Sequence, residues 1–157
     1  MLPANAVTLD MEYELGEELG LPSMTREELQ RFLDRPLVAV LSTLRPDGSP
    51  HSAPVWYEFQ NGRFYFWTGE NSVKGRNLRQ RPMASVCIPT QEEPYQYVTA
   101  QGSCELTKDG LEGRCLSIAR RYYDEERAQG FVREDLASGG SLIVVMTPAK
   151  IVSERSA

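Results

Sequence analysis

Short turn sequences separate three β-rich segments in the middle of the chain, and this pattern restricts the fold more than any other feature. Residues 37–44 are apolar on both faces of a strand, whereas residues 51–59 alternate between apolar and polar side chains. The Arg-Pro-Asp-Gly-Ser-Pro sequence at 45–50 and the Gln-Asn-Gly sequence at 60–62 are typical of tight reversals. Residues 63–68 then alternate again. The pattern predicts three consecutive antiparallel strands joined as a meander.

Three further strands are predicted after the meander. Residues 83–88 and 95–106 are rich in strand-forming side chains, and Gly102 indicates a bulge in the second segment. Residues 142–146 and 151–152 supply the last strand. Six antiparallel strands joined by short connections predict a mainly β (α+β) fold, built as a small barrel.

Helices are predicted at 25–34, 73–81 and 109–128. Thr25 followed by Glu28 is a capping box, and Ser72 occupies the N-cap position of the second helix. Apolar side chains recur at helical spacing through the third. Residues 130–141 are expected to form a loop.

Acidic side chains are concentrated at the N-terminus. The formal net charge is −5, but residues 1–28 hold seven acidic side chains and one basic one, so the rest is nearly neutral. We expect residues 1–24 to form an acidic arm and residues 25–157 to form one domain. Such a chain is not expected to bind nucleic acid.

The sequence also indicates a cytoplasmic protein that does not associate with a membrane. No apolar run approaches the roughly 20 residues that span a bilayer, and the N-terminus lacks the features of a secretory signal. The three cysteines lack the spacing of a metal site, so free thiols and no metal are expected.

A candidate anion site lies at the start of the second helix. A helix N-terminus presents unpaired N–H groups and partial positive charge, which suits a phosphate. Lys74 adds a full charge in the first turn after Ser72, and the Thr68 hydroxyl ends the preceding strand. The alternative is a solvated basic helix face, since Arg76 and Arg79 follow.

Aromatic side chains flank this site. Pro54 and Trp56 share one face of a strand, and Tyr65 and Trp67 share a face of the next. Such surfaces suit a planar ring system, although core packing is the alternative. The sequence shows no catalytic triad, so the catalytic residues stay unknown; Tyr57 or solvent is a candidate proton donor.

The segment VAVLSTLRPDGSPHSAPVWYEFQNGRFYFWTGENSVKGRNLRQRPMASVCI, with YQYVTAQGSCEL after it, resembles the pyridoxamine 5′-phosphate oxidase-like split-barrel flavoproteins. Within them it is most similar to the reductases that use the deazaflavin F420 or a flavin. The resemblance covers about residues 25–153. It implies an FMN-binding type of split barrel and a homodimer with two cofactors at the interface.

The resemblance also implies roles for particular residues. One group would hold the phosphate end of the cofactor, and a second would line its ring. The first group is Thr68, Ser72, Lys74 and Asn77, and the second is Pro54, Val55 and Trp56.

Two departures from the family pattern bear on the cofactor. Ser52 and Val73 stand where pyridoxamine phosphate oxidases carry arginines, so vitamin B6 oxidation is not expected and F420 is favoured over FMN. The expected function is hydride transfer from F420 to a small conjugated acceptor such as a quinone or enone. The alternatives are an FMN-dependent reductase or oxidase and a non-catalytic carrier of flavin or haem.

Overall fold

One continuous, strongly curled β-sheet carries most of the chain. The structure, a computed structural model, describes residues 15–16 and 23–154. The strands are β1 (Leu15–Gly16), β2 (Ala39–Leu44), β3 (Pro50–Val55), β4 (Tyr57–Gln60), β5 (Arg63–Gly69), β6 (Met83–Pro89), β7 (Tyr97–Thr107) and β8 (Ser141–Glu154). The helices are α1 (Arg26–Leu33), α2 (Val73–Gln80), α3 (Leu111–Tyr122) and α4 (Glu125–Ser138).

The strand order explains why the sheet curls into a barrel. Neighbouring strands follow the order β3-β2-β6-β7-β8-β5-β4, all antiparallel, and β1 pairs in parallel with β8. The edge strands β3 and β4 are nevertheless consecutive in the chain, separated only by Trp56. The two edges therefore come together at Trp56. The predicted fold class, a mainly β antiparallel split barrel with flanking helices, is confirmed.

The predicted strand count and meander are wrong in one respect. The segment 51–59 is not one strand, because Trp56 interrupts it and its two halves pair with different neighbours, β2 and β5. With β1 added, the described residues contain eight strands instead of six. The β2–β3 and β4–β5 hairpins and the β7 bulge at Gly102 are confirmed. A Cβ on Gly102 would collide with the Thr147 carbonyl of β8.

The third predicted helix is in fact two helices. Tyr123 is extended, and the Asp124 side chain caps a new helix by accepting a hydrogen bond from the Arg127 amide at 2.9 Å. The region 130–141, expected to be a loop, is therefore mostly helix α4. The helices α3 and α4 pack on the outer face of the sheet, where Cys115, Ile118 and Val132 are buried.

The barrel interior is filled by apolar side chains of the sheet and of α1. Leu41, Tyr57, Phe64 and Phe66 are fully buried there. The capping box at Thr25 is confirmed, and α1 places Phe32 and its other apolar side chains on this core. The burial of these side chains is the main stabilising contribution to the fold.

Arg121 of α3 ties the end of α1 to the sheet. Its guanidinium donates to the carbonyls of Leu33 at 3.1 Å, Asp34 at 3.3 Å and Arg35 at 3.0 Å, and to Tyr57 O at 2.8 Å. The carbonyls at a helix C-terminus have no intrahelical partner, so a buried end requires such donors. One side chain therefore joins three elements.

Little of the predicted acidic arm falls within the described residues. Leu15 and Gly16 pair with Ile151 and Val152, and Met24 is buried, its amide donating to Ser153 Oγ at 3.0 Å. Residues 1–14 and 17–22 lie outside the described part, so the division into an arm and a domain at 24/25 stays a prediction. None of the described helices is long and apolar enough to cross a membrane.

Candidate functional site

A pocket of about 460 Å³ opens where β5 extends past the start of β4. The β4–β5 pairing ends at Tyr57 opposite Phe66, so Trp67–Gly69 pair only with β8 among the described strands. Across the gap, the end of β3 pairs only with β2 in the same described set. Both sides of the gap line the pocket, which therefore lies at the split of the barrel.

Most of the pocket lining is aromatic, aliphatic or glycine. The lining residues are Val38, Pro54, Val55, Trp56, Trp67, Thr68, Gly69, Phe131, Asp135, Gly139, Gly140 and Ser141. A concave, largely apolar surface with a few polar groups is the usual form of a small-molecule site.

The aromatic rings of Trp56, Trp67 and Phe131 line the pocket as one packed wall, and Tyr122 and Tyr123 support it from outside the lining. The Trp56 indole stacks on Tyr122 with centroids 4.6 Å apart, and Phe131 of α4 lies 5.5 Å from both Trp56 and Trp67. Tyr123 packs edge-on against Trp56 at 4.9 Å. Packed rings hold one another in place, so the wall is pre-formed for a planar ligand.

Asp135 is held in a fixed orientation at the pocket. Its Oδ2 accepts from Trp67 Nε1 at 3.2 Å and also from the Ser141 hydroxyl. Within the described part of the chain, no cationic side chain pairs with Asp135. The pocket therefore contains a positioned carboxylate.

The pocket continues into the start of α2 through two hydroxyl groups. Thr68 Oγ1 lies 3.2 Å from Ser72 Oγ, which accepts from the Gly75 amide at 3.1 Å, so the predicted N-cap is confirmed. The amides of Val73 and Lys74 have no hydrogen-bond partner among the described residues. A Cβ on Gly75 would lie 2.7 Å from Glu70 O, which explains why glycine occupies this position in the first turn of α2.

Lys74 supplies an unneutralised positive charge beside these amides. The side chain is partly buried, and burial lowers the pKa of its ammonium group below 10.5. None of the described carboxylates lies within ion-pair distance of Lys74; the Glu70 carboxylate is paired with Lys108 at 3.1 Å and with Arg79 at 3.9 Å. An anion bound here would offset the cost of that partial burial.

The structure brings together most, but not all, of the predicted site residues. Pro54, Val55, Trp56 and Thr68 line the pocket, and Ser72 contacts Thr68. Lys74 and Asn77 are not part of the lining. The Asn77 side chain is buried and donates to Thr43 Oγ1 of β2 at 3.1 Å, so its amide faces the sheet. The cofactor-binding roles of all seven residues stay predictions.

Tyr57 does not serve as a proton donor to this pocket. Its side chain is fully buried in the barrel, and its hydroxyl donates to Arg35 O at 2.9 Å. Burial also raises its pKa.

Sequence reasoning missed the contribution of α4. Phe131 and Asp135 reach the pocket from a segment expected to be a loop. The Asp124 cap, followed by buried Ala128 and Val132 at helical spacing, is the signal that identifies this helix.

Comparison with known proteins identifies the family and the fold of the chain. Residues 25–152 match the family model described as pyridoxamine 5′-phosphate oxidase. A pyridoxine/pyridoxamine 5′-phosphate oxidase of Acidothermus cellulolyticus is 39% identical over 80 residues, which cover 51% of this chain but only 36% of that protein. The chain thus spans about a third of the length of this curated relative.

Two solved structures share the fold at low identity. A conserved hypothetical protein from Mycobacterium tuberculosis superposes with a TM-score of 0.74 at 23% identity, covering 89% of each chain. An F420 reductase superposes with a TM-score of 0.63 at 22% identity, covering 78% of this chain and 94% of that one. The fold and its pocket define a split-barrel protein. The chain belongs to the pyridoxamine 5′-phosphate oxidase family.

Proposed function

We propose that this protein is an oxidoreductase that binds F420 and reduces a small conjugated acceptor such as a quinone or enone. The observation that carries the proposal is the continuity of the site. The aromatic pocket joins, through Thr68 and Ser72, a helix start with open amides and an unneutralised lysine. Such an arrangement suits a cofactor with a planar ring at one end and a phosphate at the other.

The residues present fit a deazaflavin or flavin. The Val73 and Lys74 amides and the Lys74 ammonium would hold the phosphate, while Pro54, Val55 and Trp56 would line the ring. F420 is preferred because Ser52 and Val73 replace the arginines of pyridoxamine phosphate oxidases. The reduced cofactor, when bound, supplies a hydride.

The protein itself would position the reactants and exclude water. The aromatic wall covers one side of the pocket, and orienting a bound acceptor there lowers the entropic part of the barrier. With Tyr57 directed into the barrel, we propose that solvent supplies the proton that accompanies the hydride.

We further propose a homodimer with the cofactor at the interface. Val38 borders the pocket and is 50% exposed, which supports a second copy covering this side. Light scattering coupled to size-exclusion chromatography tests this proposal. A protein that stays monomeric both without cofactor and when saturated with it would overturn the proposal.

Titration with F420 and with FMN tests the cofactor assignment. We expect saturable F420 binding and consumption of reduced F420 in the presence of quinones or enones. Tight FMN binding without F420 binding would replace F420 by FMN as the cofactor. Binding of either cofactor without turnover would instead indicate a carrier.

A further inference from the structure

The charge of the pocket supports a conclusion about the molecule bound there. Asp135 is the charged member of the described lining, and no basic side chain lines the pocket with it. One oxygen, Oδ2, is occupied by Trp67 Nε1 and Ser141 Oγ. The other oxygen has no hydrogen-bond partner among the described residues. Asp135 therefore offers a fixed acceptor with a full negative charge.

The surrounding side chains strengthen this preference for positive charge. Trp67 and Phe131 line the pocket together with Asp135, and the faces of aromatic rings attract cations. None of the described basic side chains lies within ion-pair distance of Asp135, and the Arg127 guanidinium instead lies 3.8 Å from the centroid of the Tyr123 ring.

We propose that the part of this pocket around Asp135, next to the Pro54–Trp56 surface assigned to the cofactor ring, binds an organic cation of the amidinium or ammonium type, and that Asp135 selects it. Trp67 and Ser141 act as positioning residues that hold the carboxylate toward the ligand. The inference rests on the proposed function in one respect, which is that the bound cation is the acceptor to be reduced. Binding of the cation itself requires no redox activity. Acceptors with a positively charged substituent are then preferred over neutral and anionic analogues.

The two tryptophans of the chain both line the pocket, so intrinsic fluorescence reports its occupancy directly. The full-length protein is titrated at neutral pH with benzamidine, benzamide and benzoate, which match in shape and differ in charge. We expect saturable quenching by benzamidine with a dissociation constant about tenfold or more below that of benzamide, and weaker binding of benzoate. Equal affinities, preference for benzoate, or no saturable quenching by benzamidine would overturn the inference.

Asp135→Asn tests the selecting residue, because asparagine retains an acceptor for Trp67 Nε1 but carries no charge. We expect the preference for benzamidine over benzamide to disappear. Glu134→Gln is the matched control, since it removes an exposed carboxylate outside the lining on the same helix. A preference that survives in Asp135→Asn overturns the role of Asp135. The three probes on the unsubstituted protein test the pocket even if that variant does not fold, and they do so independently of the cofactor titrations.

Discussion

The indole of Trp56 lies parallel to the Tyr122 ring, with planes 7° apart and centroids separated by 4.6 Å. The Tyr122 hydroxyl donates to Leu37 O at 2.8 Å and accepts from the Tyr57 amide at 3.2 Å. Tyr122 therefore supports both the pocket wall and the corner where β3 passes into β4.

Replacing Tyr122 by phenylalanine should keep the stacked ring and remove the hydroxyl. We expect the free energy of unfolding to fall by about 1–3 kcal/mol, because a carbonyl and an amide lose their partner. Guanidinium chloride denaturation measures the change. Tyr123→Phe removes a hydroxyl with no hydrogen bond in the described part of the chain, so equal losses in the two variants would contradict the role of Tyr122.

Lys74→Ala should weaken cofactor binding by about 1.5–3 kcal/mol, the range for hydrogen bonds to charged groups. Stability should change little, because Lys74 has no ion-pair partner among the described residues. Calorimetric titration with F420 or FMN provides the measurement. Arg76→Ala removes an exposed charge from the same helix and should have a smaller effect. Unchanged affinity in Lys74→Ala would mean that the phosphate lies elsewhere.

Leu41→Ala should lower the free energy of unfolding by about 2–5 kcal/mol, because it leaves a cavity at a fully buried position of β2. Leu44 lies on the same strand and is 39% exposed, so Leu44→Ala should cost less. Chemical denaturation of the two variants measures both losses. Similar losses in the free energy of unfolding would contradict the position of Leu41 in the barrel interior.

Arg121→Ala should destabilise the fold by about 2–3 kcal/mol, because three carbonyls at the end of α1 and Tyr57 O lose their charged donor. Arg120→Ala should have a smaller effect, since Arg120 pairs with Glu125 on the exposed surface. Thermal unfolding of both variants is the test. Equal stability of the two would show that the α1 carbonyls find other donors.

Buried thiols should make the protein sensitive to alkali. Burial raises the pKa of Cys104 and of Cys115 from 9.0 to about 12. The unfolded chain therefore loses these protons first, and the free energy of unfolding falls as the pH rises from about 9 to about 12. Each thiol contributes up to about 1.4 kcal/mol per pH unit.

In Cys115→Ala, the free energy of unfolding should fall less steeply between about pH 9 and about pH 12, because only one of the two buried thiols remains. Denaturation of the two proteins at a series of alkaline pH values compares the slopes, whatever the stability of the variant at neutral pH. Parallel curves would show that Cys115 ionises equally in the folded and unfolded states.

The local elements could be predicted from the sequence because short-range chemistry determines them. The Thr25 and Ser72 caps and the Asn61–Gly62 turn depend on neighbouring residues, and the structure contains all three. Asn61 and Gly62 both adopt positive φ, at 53° and 72°, as the hairpin requires.

The different pairing partners of β3 and β4, which are β2 and β5, could not be predicted from the sequence. Alternating side chains continue through Trp56, so the pattern gives no sign that the chain changes neighbours there. The pocket depends on that change and on α4 reaching it. Both are long-range arrangements, in which Trp67 and Asp135 meet across much of the chain.

Strand β8 determines the order in which the sheet can assemble. It alone joins the β3-β2-β6-β7 half to the β5-β4 half among the described strands, and the chain reaches it only after α4. Closing the long loop between β5 and β8 costs chain entropy before any hydrogen bond between them forms. Each hairpin can form early, but the hydrogen-bonded pairing that joins the two halves requires the last part of the chain. The side of the pocket that β5, α4 and β8 supply is complete only when that pairing has formed.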